Sequence, residues 1–394
     1  MKQITIFSIL FFLIVTVSAQ TETEIYKFSA DIEAKIQKDS TTWKYQTGAT
    51  DYSFSEYYKK ALETWDKFGA GVQNVSREDS IYFRSFKPVN AKDYIIKRSR
   101  QEQIIIINEA HHVPMHRVFT TSLLQGLYNN GYRFLGLECL FDSIINERKF
   151  PNFKSGSYTK EPQMGNLIYE AIKIGFTVFG YEAADGKNGK EREIEQAENI
   201  AKIIAKHPES KFLIHCGYDH INEGTPGIKS WEKAMARNLK EITKINPFTI
   251  DQTLYTEKGN AKFNHPYIGA VDSKCPVIMM NGKGETFDRS IYNKDIDCCI
   301  IHPISKYVND RPDWLTLNGK RRIYKIPNTE ITEYPALILA YRKNEFEQKG
   351  IPADIVEVTG ENKTGNLLLD KGDYELVIKN KSYIIKNKYL IKIK

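Results

Sequence analysis

The chain has 394 residues, 41% of them hydrophobic and 27% charged, with a formal net charge of +7. So modest a charge, with Lys interleaved among Glu and Asp, excludes the clustered basic face of a nucleic-acid binder. Five cysteines, an odd number that includes the adjacent Cys298 and Cys299, do not make the disulfide framework of a small secreted scaffold.

Lys2 precedes an apolar run from Ile4 to Val17, and Val17-Ser18-Ala19 puts small residues before Gln20. Residues 1–19 therefore read as a signal peptide, too short to span a bilayer, and the chain is expected to be exported, either periplasmic or secreted. No later stretch is apolar enough for a transmembrane segment. Residues 20–100 read as a helical region that caps the core, with Trp43, Tyr57 and Trp65 scattered among charges.

From 101 to 312 short apolar runs alternate with helical stripes. The runs are IIIIN, YRFLGLE, FTVFGYE, KFLIHCG, PFTIDQT, CPVIMM and DCCIIHP, several of them continuously apolar as strands covered on both faces must be. Phe119, Ser122, Leu123, Gly126 and Leu127 make one helical stripe; Ile194, Ala197, Ala201 and Ile204 make another. The fold class expected is α/β, a mostly parallel sheet with helices on both faces. Ligands of such sheets sit beyond the carboxyl ends of the strands.

Titratable residues collect at those ends. Gly131-Tyr-Arg-Phe-Leu-Gly-Leu-Glu138 and Gly175-Phe-Thr-Val-Phe-Gly-Tyr-Glu182 share one grammar, a glycine that ends a helix, an apolar run broken by glycine, then glutamate. Glu109-Ala-His-His112 and Gly217-Tyr-Asp-His220 form a second echo, each placing histidine three residues past a strand end. Glu138, Glu182, His112 and His220 are thus expected on one rim.

His111, His112 and His116 suggest a metal motif, but Pro114 suits the start of a helix, which leaves His112 in the preceding loop and His116 in the first turn. The positive end of that helix favours the neutral imidazole a general base needs, and His112 takes that part. His111 is read as packing or as holding neighbours. Asp251 and Gln252 end a further strand, His302 is a weaker candidate, and Cys139 and Cys216 read as small buried residues rather than nucleophiles. Residues 313–394 alternate apolar and polar, with strands expected at Leu367–Asp370, Tyr374–Ile378, Ser382–Ile385 and Tyr389–Ile393. They read as a small C-terminal antiparallel β module with one face on a core.

Four features carry a family resemblance: glutamate three residues before histidine after a strand, a strand ending in glutamate, Arg192-Glu193 opening a helix ahead of Ala197-Glu198-Asn199, and a strand leading into Gly217-x-x-His220. In this order they resemble the superfamily of erythromycin esterases and ChaN-like haem-binding proteins, with the Tiki/TraB proteins more distant. The resemblance implies an α/β sheet with its site at the strand ends. Its esterase branch implies that His112 activates water, that Glu109 and Glu138 orient it or bind substrate, that Arg192 pairs with the carboxylates or answers an oxyanion, and that His220 completes the rim. The substrate would be a small molecule or peptide with an ester, lactone or amide bond. The Tiki branch implies instead a divalent metal held by the histidines and glutamates, and the ChaN branch haem without catalysis. One departure is Asn108, where glycine usually precedes the motif glutamate. Nothing in the sequence sets the oligomeric state.

Overall fold

The structure, a computed structural model, describes residues 24–225, 228–287 and 295–394; the expected signal peptide lies outside them. Helices α1 (Ser29–Lys38), α2 (Lys44–Phe54), α3 (Tyr58–Gly69) and α4 (Arg77–Arg84) open it. The helical expectation for this region departs at one place, strand β1 (Lys87–Asn90), which leads into α5 (Ala91–Arg98). Ser76 and Asn90 cap α4 and α5 by accepting from the backbone N–H groups of Asp79 and Asp93.

An alternating stretch follows: β2 (Ile104–Glu109), α6 (Met115–Asn129), β3 (Tyr132–Leu137), α7 (Ile145–Arg148), α8 (Pro162–Ile174), β4 (Thr177–Gly180), α9 (Gly189–Lys206), β5 (Lys211–Gly217), α10 (Met235–Thr243), β6 (Phe248–Asp251), α11 (Pro266–Gly269), β7 (Val277–Met280) and β8 (Cys298–Cys299). Six of these strands form one sheet in the order β4-β3-β5-β2-β6-β8, with every neighbouring pair parallel. Its middle strand explains its own sequence. Ile105 and Ile107 face Leu123, Leu127 and Leu167 on one side, and Ile104 and Ile106 face Ala197, Ile200 and Leu239 on the other. A strand covered twice has no polar alternation to show, and each buried isoleucine contributes roughly 1.5–3 kcal/mol relative to exposure. The α/β class with helices on both faces is therefore present, apart from one strand. CPVIMM does not join the sheet; as β7 it pairs antiparallel with β1, and Val277 and Met279 lie in an aromatic cluster with Phe83, Tyr267 and Phe287.

The C-terminal part comprises β9 (Tyr307–Val308), β10 (Arg311–Pro312), β11 (Arg322–Lys325), β12 (Ala336–Arg342), β13 (Asp354–Val358), β14 (Asn366–Leu369), β15 (Gly372–Lys379) and β16 (Ile385–Ile393). Antiparallel strands run β13-β12-β15-β16, with β11 and β14 paired beside them. Two expectations change here. Strands foreseen at Ser382–Ile385 and Tyr389–Ile393 are a turn followed by one strand, β16, with Tyr383 left-handed in the turn (φ 61°). The sheet is also covered on both faces: Ile338 and Ala340 meet Ile326 and Leu367, while Leu337, Leu339 and Tyr341 meet Tyr26 and Phe28 from the start of the described chain. Among the described residues no helix is long and apolar enough to cross a membrane.

Candidate active site

Parallel pairing brings the strand ends level. Glu109 at the end of β2 stands opposite Gly217 at the end of β5, and Leu137 of β3 stands beside His215 of β5 and Gly180 of β4. Glu138 follows directly on the end of β3, and Glu182 stands two residues past the end of β4. The repeated eight-residue grammar is thus two neighbouring strands, and Gly131 and Gly175 (φ 96° and 118°) lead into them in the left-handed conformation expected of helix caps.

The lower tier of the site is buried except for the ring of His111, which is partly exposed. Arg117, in the first turn of α6, donates from Nε and Nη2 to the two oxygens of Glu109, each at 2.6 Å, and from Nη1 to Glu161 at 2.8 Å. Glu109 also meets His111 Nδ1 at 2.9 Å and His215 Nε2 at 2.8 Å. Burial alone pushes the Glu109 carboxyl up, but Arg117 and the two histidines hold it well below the usual carboxylate range. An ionised Glu109 fixes the His111 tautomer: Nδ1–H donates to the carboxylate and Nε2 is left as the acceptor. The ring is held between Tyr158, stacked at 4.0 Å, and the edge-on Tyr218 at 5.1 Å.

The upper tier is half open. Arg192, on α9, donates to Glu182 from Nε at 2.9 Å and Nη2 at 2.6 Å, and from Nη2 to Glu138 at 2.6 Å. Glu138 accepts from Gly217 N–H at 2.6 Å. His220 Nδ1 lies 2.9 Å from buried Glu193, and its Nε2 lies 3.3 Å from Glu138 and 3.1 Å from Arg192 Nη1, whose Nη2 is on the same carboxylate. Burial disfavours charge on His220, but Glu138 and Glu193 outweigh it and raise its pKa to about 10, so the ring is cationic at neutral pH. Burial likewise pushes Glu138 up, and His220, His111 and Arg192 bring it far below the usual range.

Gly217 joins the tiers. A methyl group there would meet His111 Nε2 at 2.7 Å and Glu138 Oε2 at 3.2 Å, so a side chain would enter the space the two functional groups face. Asn108 braces the same place. Its Nδ2 donates to Tyr218 O at 2.8 Å and to Asp251 at 3.0 Å, while its Oδ1 accepts from Gln252 N–H at 2.7 Å. One amide thus ties the ends of β2, β5 and β6 and holds Tyr218 at φ 38°, a conformation unusual for a side-chain-bearing residue.

Of the residues singled out from sequence, Glu109, Glu138, Glu182, Arg192 and His220 come together and His112 does not. Its ring stacks on Trp65 at 3.8 Å, its Nδ1 is 3.4 Å from Tyr218 Oη, and burial with nearby Lys258 pushes its pKa well down. The histidine that meets the carboxylates is His111, which sequence had given a packing role. Asp251 and Gln252 brace the strand ends. His302 contacts Gln252 and stacks near His116, with its pKa lowered by burial to about 3. Burial pushes the Cys139 thiol up to about 12 and the Cys216 thiol well up from its ordinary value, so both stay protonated. Sequence reading missed Arg117, Glu161 and His215, and named Glu193 beside Arg192 without giving it a role. A histidine inside the buried run KFLIHCG was a usable signal, because a buried polar group demands a partner.

The donor set does not fit a resident metal. Both oxygens of Glu109 and of Glu138 are already spent on N–H donors. Among the described residues no group of three or more His, Cys, Asp or Glu is arranged to hold one. Beside His112, a cleft lined by Leu62, Pro114, Glu257 and Trp314 encloses about 220 Å³ including its open mouth, below the roughly 300 Å³ at which small-ligand pockets begin. That is too small for haem.

No family model matches the chain, and no curated protein matches it. Among solved structures, RRSP, a MARTX toxin effector domain from Vibrio vulnificus CMCP6, is similar over 54% of this chain and 44% of its own, at 14% identity and a TM-score of 0.30. The type III effector HopBA1 is similar over 46% of this chain and 94% of its own, at 12% identity and a TM-score of 0.29. The C-terminal region of Pasteurella multocida toxin, described as having a thiol-protease-like catalytic triad, covers 89% of this chain and 55% of its own, at 9% identity and a TM-score of 0.28. This chain spans less than half the length of the first of them, and at these TM-scores the likenesses support no particular activity.

Proposed function

We propose that the protein is a hydrolase of the erythromycin esterase/ChaN-like type that cleaves an ester, lactone or amide bond with water activated by His111. The observation that carries the reading is the Glu109–His111 pair: an ionised, immobilised carboxylate on Nδ1 and an open Nε2 aimed across Gly217 toward Glu138. His111 Nε2 takes a proton from water as its oxygen attacks the acyl carbon. Glu109 stabilises the imidazolium that forms, and the ring then returns the proton to the departing alcohol or amine. Arg192 and cationic His220 supply positive charge where the oxyanion develops, and Glu138 and Glu182 hold both in place. Export, as the start of the sequence suggests, would put this chemistry outside the cytoplasm.

Two single variants assayed side by side on p-nitrophenyl acetate and butyrate test the assignment. His111→Ala should lose about 10²- to 10⁴-fold in kcat, the usual worth of a positioned general base. His112→Ala removes a stacked ring and should cost stability, with kcat falling less than about tenfold. Equal losses, or the larger loss at His112, would return the base to His112. No turnover above buffer by the wild-type chain on either ester would leave hydrolysis of simple esters without support.

A further inference from the structure

Beneath His111 a line of buried polar groups leaves the α/β sheet and crosses both flanking regions. Glu161 precedes α8 and caps it, its Oε2 accepting from Met164 N–H at 2.9 Å and from Arg117 Nη1 at 2.8 Å. Its other oxygen lies 3.2 Å from Tyr58 Oη, at the start of α3, and that hydroxyl lies 2.8 Å from Glu56. Glu56 in turn accepts from Arg311 Nη1 at 2.9 Å and from Ile355 N–H at 3.0 Å, and Arg311 is paired with Asp354 of β13. Glu56, Arg117, Glu161 and Asp354 are all buried, and none of them reaches the half-open rim.

We propose that Glu161, anchored by Tyr58 and Glu56 of the N-terminal region, is a positioning residue that keeps Arg117 on Glu109 and thereby fixes the ring of His111. The argument rests on the geometry of a guanidinium. Arg117 is planar; its bidentate hold on Glu109 uses Nε and Nη2, Nη2 also reaches His111 O at 3.1 Å, and Nη1 is the arm that ties the fork to an element outside β2 and its turn. Glu161 takes that arm. Without it the fork is held only by Glu109 and the His111 carbonyl, the very groups it has to position, and Glu109 carries His111 with it. The N-terminal helices and the C-terminal strands then complete the site from behind, a role distinct from that of a cap.

Tyr58 also says what Glu161 requires. A hydroxyl has one proton, and Tyr58 shares it between two carboxyl groups, Glu56 at 2.8 Å and Glu161 at 3.2 Å. The position is therefore best served by a group that keeps a polar contact with Tyr58 and accepts from Arg117. A glutamine side chain does both. Glu161→Gln is therefore the conservative variant, and Glu161→Leu, of similar size with no polar atom, is the disruptive one.

This proposal rests on the hydrolase reading for its kinetic arm only. The full-length chain, produced with isotopically labelled histidine, reports the His111 Nδ1–H···Glu109 hydrogen bond as a slowly exchanging imidazole proton resonance, whether or not the protein turns over any substrate. In Glu161→Leu that resonance should broaden away, and kcat on p-nitrophenyl acetate should fall about ten- to hundredfold with KM little changed, the cost of a displaced base. Glu161→Gln should retain the resonance and most of kcat. Tyr58→Phe, which keeps the ring packed on Trp314 at 5.0 Å, should weaken the resonance and lower kcat by about two- to tenfold, the worth of one hydrogen bond. Wild-type resonance and kcat in Glu161→Leu would overturn the proposal, as would equal losses in the leucine and glutamine variants, which would make charge the operative property. If the leucine variant does not fold, Tyr58→Phe decides alone, and an unchanged resonance there overturns it. Resonances that behave as expected in a chain that hydrolyses nothing would retire the hydrolase reading and keep the positioning.

Discussion

Arg117 is the charge on which the lower tier depends, and removing it gives a measurable consequence. In Arg117→Met a side chain of similar length replaces a guanidinium that donates to both oxygens of Glu109, to Glu161 and to His111 O. Two carboxyl groups, both buried, are then left without their cation. Breaking a buried pair from one side costs about 3–5 kcal/mol, because the remaining charge is uncompensated. An unfolding entropy of about 2.1 cal/mol/K per residue over roughly 370 residues converts 4 kcal/mol into a fall in Tm of about 5 °C. The deficit also depends on pH, and the sign follows from linkage. In the wild type Glu109 is held well below its unfolded value, so its contribution is present above a pH of about 4.3 and lost as pH falls. In the variant only His111 and His215 still oppose burial at Glu109, and Glu161, raised by burial already in the wild type, rises further, so the folded variant binds protons that its unfolded chain releases. Its stability therefore declines as pH rises through that range. Urea unfolding of both chains at a pH near 4.5 and again near 7.5 should show a gap that widens toward neutral pH. A gap under about 1 kcal/mol, or one that does not change with pH, would refute the view of Arg117 as the counter-charge of the site.

Two further outcomes follow from the upper tier. Gly217→Ala should abolish most ester turnover while the chain stays folded, since the added methyl enters the space between His111 Nε2 and Glu138 Oε2; wild-type kcat with a wild-type far-UV spectrum would show that the space is not used. His220 is raised from an ordinary value of 6.5 to about 10, so its share of stability is complete below the lower value and is lost as pH rises through about 10. The wild-type advantage over His220→Asn in thermal melts should therefore shrink between these two pH values, and an advantage that grows with pH would contradict the ion pairs with Glu138 and Glu193.

Much of the sheet could be read from the sequence because burial on two faces leaves a one-dimensional mark. Four consecutive isoleucines before Asn108 fit a central parallel strand, and the repeated glycine-to-glutamate grammar marked two strands that prove to be neighbours. CPVIMM bears the same mark and sits elsewhere, because an apolar run records burial but not its partner. β7 is covered by an aromatic cluster, and that cover looks the same in sequence as a sheet.

The choice between His111 and His112 was harder, and it turns on geometry that hydrophobic patterning does not record. β2 ends at Glu109, and both histidines lie in the turn closed by Val113 N–H on Ala110 O, where the period of the strand no longer assigns sides; that turn directs His111 to Glu109 and His112 to Trp65. The echo between His112 and His220 was real in spacing, but it matched positions and not directions. Arg117 and Glu161 were hidden for another reason. Each lies outside the strand ends that the sheet architecture points to, and their pairing joins α6 to the residue before α8 across 44 positions.

The burial of so much charge has a structural logic that extends to Asn108. A base that must keep one ring nitrogen open cannot be oriented by solvent, and His111 retains only partial exposure. Its orientation is supplied from below by Glu109, and Glu109 is held ionised by Arg117 and two histidines in the same dry space. Such an arrangement is stable only if the backbone beneath it cannot shift, and a glycine at position 108 would lack the amide that reaches both neighbouring strand ends. The Asn108 amide adds a side-chain tie to both neighbours and pins Tyr218 against His111. Asn108 thus falls where a rigid floor is needed, and it spends its side chain on holding the turn.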